Sequence, residues 1–127
     1  MNASLPTAGA AGVSSWAWPY SLDALIAAQQ YHRLLLEDER VRVLDTRIQP
    51  GEIVPVHTHR WSSVVYILSW GEFVRRDGDG KLLVDTRVTP SELKPGQAVP
   101  CPPLPPHSFE NVGTTEIHVI TVEVKTA

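Results

Sequence analysis

The chain has 127 residues, 43% of them apolar, and a formal charge of −3. That size favours one domain with one core, and the acidic balance argues against the basic footprint of a nucleic-acid binder. One cysteine excludes an internal disulfide, and no stretch reaches the roughly 18–20 apolar residues needed to cross a bilayer.

Residues 1–15 are rich in Ala, Gly, Ser and Thr and read as a mobile tail. The first 20 residues carry no Lys or Arg and no unbroken apolar run, a poor secretory signal, so the expected compartment is the cytoplasm. Trp16 and Trp18 follow. An aromatic pair of this kind packs on its own barrel, on a second subunit, or over a pocket as a lid. The segment SLDALIAAQQ, 21–30, places Leu22, Leu25, Ile26 and Ala28 at helical spacing. Ser21 or Asp23 can cap it, which predicts a short helix.

From residue 31 the pattern changes to short runs rich in β-branched residues: YHRLLLEDE, RVRVLDTRIQ, SSVVYILS, EFVRRD, KLLVDTRV, QAVPC and EIHVITVEV. Gly- and Pro-containing segments separate them at roughly ten-residue spacing, which implies an all-β sandwich or barrel. The expected layout is a tail and short helix over 1–30, then one β-barrel domain over 31–127. Asp77-Gly78-Asp79-Gly80 predicts a hairpin turn between EFVRR and KLLV. Arg75-Arg76 is the only adjacent basic pair and reads as part of a solvated turn.

Histidines carry the chemistry. His57 and His59 stand two positions apart, and on a strand such residues point to the same face. His107 comes about fifty residues later, directly after PCPPLPP, 100–106. Five prolines make that stretch rigid and argue against a central strand. If the strand of His57 and His59 neighbours the one starting at His107, three imidazoles converge. Neutral imidazole suits Zn, Cu, Fe and Ni. The plainer alternative is three surface or hydrogen-bonded histidines.

The spacing of these residues resembles the two motifs of the cupin superfamily. The first motif is Gly, five residues, His-x-His, three or four residues, Glu, six residues, Gly. Here Gly51, His57, His59, Val64 and Gly71 stand at those points. The second is Gly, five residues, Pro-x-Gly-x-x-His, three residues, Asn. Here it is matched by Gly96, Pro102, Leu104, His107 and Asn111. Identity departs at Val64, where the family has Glu, and at Leu104, where it has Gly. The resemblance covers roughly residues 33–124. It implies a small double-stranded β-helix, or jelly-roll, behind a short N-terminal helical segment. It implies His57, His59 and His107 as metal ligands.

Valine cannot coordinate, and strand alternation is expected to leave Val64 filling the barrel. Glu110 and Glu116 are the nearest carboxylates in sequence. Three neutral ligands leave a divalent ion at +2, which favours an anionic chelating ligand. The arrangement resembles the all-histidine Fe(II) cupins that cleave β-diketones or oxidise thiols. The expected function is therefore an Fe(II)-dependent dioxygenase acting on a small anionic substrate, with Zn, Ni or Mn as other candidate ions. A non-oxidative isomerase or lyase and a non-catalytic ligand-binding barrel are the competing readings.

Further candidate pocket residues are His118, Tyr66, Arg60 and Cys101. His118 shares a face of EIHVITVEV with Ile120, Val122 and Val124, a phase that aims it into the barrel. Tyr66 follows the His pair on the next strand. Arg60 is adjacent to His59, although alternation turns it to the other face. Cys101 precedes Pro102 and reads more plainly as a small core residue. The expected partners are a small molecule and a second copy of the chain, with neither nucleic acid nor membrane.

Overall fold

The computed structural model describes residues 16–126, so the tail read over 1–15 lies outside the described residues. The helix expected over 21–30 is reduced to a 3-10 turn, Tyr20–Leu22, and one α-helical turn, α1, Ala24–Ala27. Asp23 separates the two in extended conformation (φ −56°, ψ 145°), and its carboxylate caps α1 by accepting from the Leu25 N–H. Ala24 and Ala28 are buried against the barrel, and Asp23 bridges to Thr58.

Among the described residues nine strands follow: β1 His32–Glu37, β2 Val41–Ile48, β3 Ile53–His59, β4 Ser63–Ser69, β5 Phe73–Asp77, β6 Leu82–Asp85, β7 Ala98–Cys101, β8 Leu104–Asn111 and β9 Ile117–Val124. They form a five-stranded sheet in the order β1-β2-β9-β4-β7 and a four-stranded sheet in the order β3-β8-β5-β6. All the strand pairings are antiparallel. From β2 onward the chain changes sheet at nearly every step, and strands far apart in sequence pair. This is the double-stranded β-helix. The DGDG segment forms the expected hairpin between β5 and β6. The Asp77 carboxylate accepts from the Asp79 and Lys81 N–H groups, and Gly80 takes a positive φ of 89°.

The proline-rich run is more strand-like than expected. Pro100 lies in β7, and Pro105 and Pro106 lie in β8, which sits between β3 and β5. β5 pairs only with residues His107 to Asn111 of β8. The prolines therefore occupy the end where one side of the strand needs no ladder donor.

The apolar core gathers Ala28, Ile48, Val54, Phe73 and Ile117, with Phe109 stacked on Phe73 at 4.6 Å between ring centroids. The second motif's asparagine closes this end. Asn111 is fully buried and donates to the Ile48 and Thr115 carbonyls, while its side-chain oxygen accepts from Gly113. The outer face of the five-stranded sheet is also apolar. Leu36, Val43, Val122, Val64 and Pro100 are successive cross-strand partners in one row. Leu36, Val64, Tyr66, Leu68 and Val124 are all exposed. No helix among the described residues is long and apolar enough to cross a membrane.

Candidate metal centre

β3 carries a bulge that sets up the site. Val54 pairs with Phe109 and His57 pairs with His107, so three steps on β3 oppose two on β8. The extra residue shifts the alternation. Val54 and His57 both turn inward, and His57 faces His107 directly across the ladder. His57 and His107 ring centroids are 4.4 Å apart, His57 and His59 5.0 Å, and His59 and His107 5.8 Å. The structure thus brings together the three histidines singled out from the sequence.

It also adds a fourth. His32, the first residue of β1, lies 5.0 Å from the His57 ring and 5.4 Å from the His59 ring. The ligand atoms of His32, His57 and His59 all lie within 4.8 Å of one another. Donors about 2.1 Å from one shared tetrahedral ion would lie about 3.4 Å apart, so an ion would have to draw these rings inward. The three histidines can hold a metal ion.

Hydrogen bonds decide which nitrogen each ring offers. The Nδ1 of His32 lies 2.9 Å from the Ala28 carbonyl, that of His57 2.7 Å from the Pro55 carbonyl, and that of His107 2.8 Å from the Pro105 carbonyl. A carbonyl only accepts, so each Nδ1 donates and each Nε2 keeps its lone pair. The Nδ1 of His59 lies 3.0 Å from Glu123 Oε2. His32, His57 and His107 therefore turn Nε2 away from the acceptor behind them, and each of the four rings is held from behind by an acceptor, as metal-bound imidazoles are. Burial pushes His57 down to about 2, helped by its three histidine neighbours. Burial likewise lowers His32 and His107, each to about 4. Neutral imidazoles suit a cation, and the histidine donor set fits a divalent ion of the Fe, Ni or Zn kind.

Behind His59 lies a buried charge network. Arg42 Nε donates to Glu123 Oε1 at 2.7 Å, and its two terminal nitrogens donate to the two Asp23 oxygens at 3.0 and 2.9 Å. Burial would raise the Glu123 carboxyl, but His59 and Arg42 together hold it below the usual carboxylate range. Burial alone would lower Arg42, and its two carboxylate partners raise it instead. The network ties the helical entry, β2 and β9 to the His59 ring.

Beside the histidines lies a cavity of about 270 Å³. Its walls are mainly apolar, including Val65, Ile67, Phe73, Leu104, Phe109 and Val119. Cys101 lines it, with burial raising its thiol above the ordinary range.

Several readings from sequence are corrected. Val64 does not fill the barrel: it points outward and is 44% exposed, while Ser63, Val65 and Ile67 turn inward on β4. His118 does not line the cavity. β9 runs in the opposite phase, with Ile117, Val119, Thr121 and Glu123 buried inward. His118 Nε2 instead lies 2.6 Å from Asp45 Oδ1. Tyr66 stands on the exposed outer face, and Arg60 sits beside Trp61, 5.6 Å from its ring centroid; neither lines the cavity. Arg75 is not on a solvated turn but on β5, where it lines the cavity. The carboxylate that reaches the histidines is Glu123, hydrogen-bonded to His59, rather than Glu110 or Glu116. Glu116 accepts from Gln49 on the surface.

The sequence profile described as the cupin domain matches residues 44–123. Among solved structures, a cupin domain from Bordetella pertussis Tohama I is 24% identical with a TM-score of 0.61, covering 75% of this chain and 92% of that one. A double-stranded β-helix protein from Klebsiella pneumoniae is 21% identical with a TM-score of 0.51, covering 73% of this chain and 74% of that one. A cupin family protein from Methanocaldococcus jannaschii is 18% identical with a TM-score of 0.52, covering 73% and 77%. These likenesses carry the fold. No curated protein matches the sequence.

Proposed function

The chain belongs to the cupin domain family, and on that premise we propose that it is a metal-dependent dioxygenase-type oxidoreductase acting on a small anionic chelating substrate. The carrying observation is the all-nitrogen cluster of His32, His57 and His59, with the His107 ring 4.4 Å from that of His57, beside a mainly apolar cavity. His57, His59 and His107 would hold one divalent ion per chain, with His32 as a fourth donor. Fe(II) is favoured, and Zn, Ni and Mn are the other candidates. When bound, such an ion supplies Lewis acidity and, as Fe(II), a site for dioxygen.

The protein's own part is preparation. The four acceptors behind the rings fix their tautomer and orientation. With no carboxylate in the donor set, the site keeps its full positive charge, which selects an anion. The apolar walls exclude water and strengthen that attraction. The cavity lies below the range of about 300–1,000 Å³ usual for drug-sized ligands, which supports a small substrate. Glu123 is engaged by Arg42 and His59 and does not line the cavity, so it is not placed as a general base. That weighs against a non-oxidative isomerase or lyase.

The test is oxygen uptake by Fe(II)-loaded protein with pentane-2,4-dione, short thiols and short oxo acids. Uptake that is stoichiometric with substrate loss, and absent from a His57→Ala/His107→Ala variant, is the expected result. Substrate conversion that continues without oxygen would replace this reading with the non-oxidative one. Binding without any turnover would leave a non-catalytic barrel.

A second copy of the chain is the proposed partner. Its seat is the apolar row of Leu36, Val43, Val122, Val64 and Pro100. A twofold axis would set this row against itself, apolar on apolar, as isologous interfaces require. Light scattering should give a dimer for the wild type and a monomer for Val64→Lys/Tyr66→Lys. A monomeric wild type at tens of micromolar removes this proposal.

A further inference from the structure

Within the wall of the metal-facing cavity stands one cation that the donor set does not explain. Arg75 lies on β5 with Phe73, two positions away, on the same inward face, and both line the cavity. Its cross-strand partner on β8 is Phe109, which makes His107 its diagonal neighbour. Such neighbours are about 7–8 Å apart. The Arg75 Nε is buried and has no hydrogen-bond partner among the described residues. The other internal arginine, Arg42, is saturated by Asp23 and Glu123. Glu123, the carboxylate nearest the histidines, is therefore not available to Arg75.

Arg75 is partly buried, and a guanidinium nitrogen shut into an apolar wall without a partner is costly unless an anion completes it. The fork of a guanidinium matches a carboxylate in two parallel hydrogen bonds. We propose that Arg75 is the anion anchor of this cavity and that the substrate is a short-chain carboxylic acid with a second donor group. The carboxylate sits on Arg75, the second donor (oxo, enolate or thiolate) faces the histidines, and the chain lies along Phe73, Phe109 and Val119. This inference rests on the reading of the cavity as a substrate pocket and narrows its substrate class.

The test is calorimetric binding of 2-oxobutanoate and of its uncharged methyl ester, to metal-loaded and to metal-free protein. Wild type, Arg75→Met and Arg75→Lys are compared, with metal content measured for each. Arg75→Met should weaken binding of the acid by about 10- to 100-fold, the range for a lost charge-assisted contact. It should leave binding of the ester and the metal content unchanged, and Arg75→Lys should recover part of the loss. If Arg75→Met binds the acid as the wild type does, the anchor is refuted while the metal site stands. Equal loss of acid and ester would make Arg75 a structural residue and also refute it. If the wild type does not bind 2-oxobutanoate, the substrate class is wrong. Arg75-dependent acid binding by a protein that takes up no metal would keep the anchor and discard the metal reading.

Discussion

Replacing Arg42 with methionine should be among the most damaging single changes in this fold. Arg42 is 2% exposed, and its partners Asp23 and Glu123 are 4% and 0% exposed. The variant leaves two carboxylates buried without their cation. Removing one partner of a buried ion pair costs about 3–5 kcal/mol, against a total stability of about 5–15 kcal/mol for a domain. For a chain of 127 residues, each kcal/mol shifts Tm by about 4 °C, so a fall of about 12–20 °C is expected. Thermal and urea unfolding are measured in chelator, so that metal linkage does not mask the loss. The triple variant Asp23→Asn/Arg42→Met/Glu123→Gln removes the charges together and should recover most of the stability, because no charge is stranded. A shift below about 3 °C in Arg42→Met, or no recovery in the triple variant, would refute the picture of a dry, ionised network.

The remaining predictions concern the site and its surroundings. Val64→Glu restores the family's residue type but should restore no ligand, because position 64 faces outward; chelator competition should show metal affinity unchanged within about twofold, with stability within about 0.5 kcal/mol. His32→Gln should weaken metal binding at least tenfold by the same assay, on the scale of losing even a supporting contact. His118→Gln should leave metal affinity unchanged, because that ring answers to Asp45 outside the cavity. Gly51→Ala should cost about 1–2 kcal/mol in urea unfolding. The φ of 87° disfavours an L side chain, although nothing within 4 Å would meet the new Cβ.

What the sequence made legible was local. The HxH pair, the Gly-led turns and the DGDG hairpin each state their geometry within a few residues. His107 was reachable because its spacing to Gly96 and Asn111 is fixed. His32 was not, because it stands 25 positions before His57 on a strand, HRLLLE, that is otherwise exposed. Only the β1–β2 pairing brings it to the site. The phase of β9 was ambiguous because both faces of IHVITVEV carry aliphatic residues: Ile117 and Val119 inside, Ile120, Val122 and Val124 outside. An apolar outer face defeats the rule that the apolar side is the buried one. Reading that phase wrongly hid Glu123. Arg42 was a further clue: it is the cross-strand partner of Glu123, and an opposite-charge pair on neighbouring strands can be buried together. Arg75 was missed because an adjacent arginine pair suggests a surface, whereas alternation sends only one of the two outward.

The central claim is that the histidine cluster is a metal site. Its most direct test is elemental analysis of the protein purified without chelator or affinity metal, beside a His57→Ala/His107→Ala variant. Close to one metal ion per chain, lost in the variant, is the predicted result, with iron favouring the oxidative reading and zinc, nickel or manganese favouring other chemistry. Little metal in both proteins, even after reconstitution with each ion in turn, would contradict it.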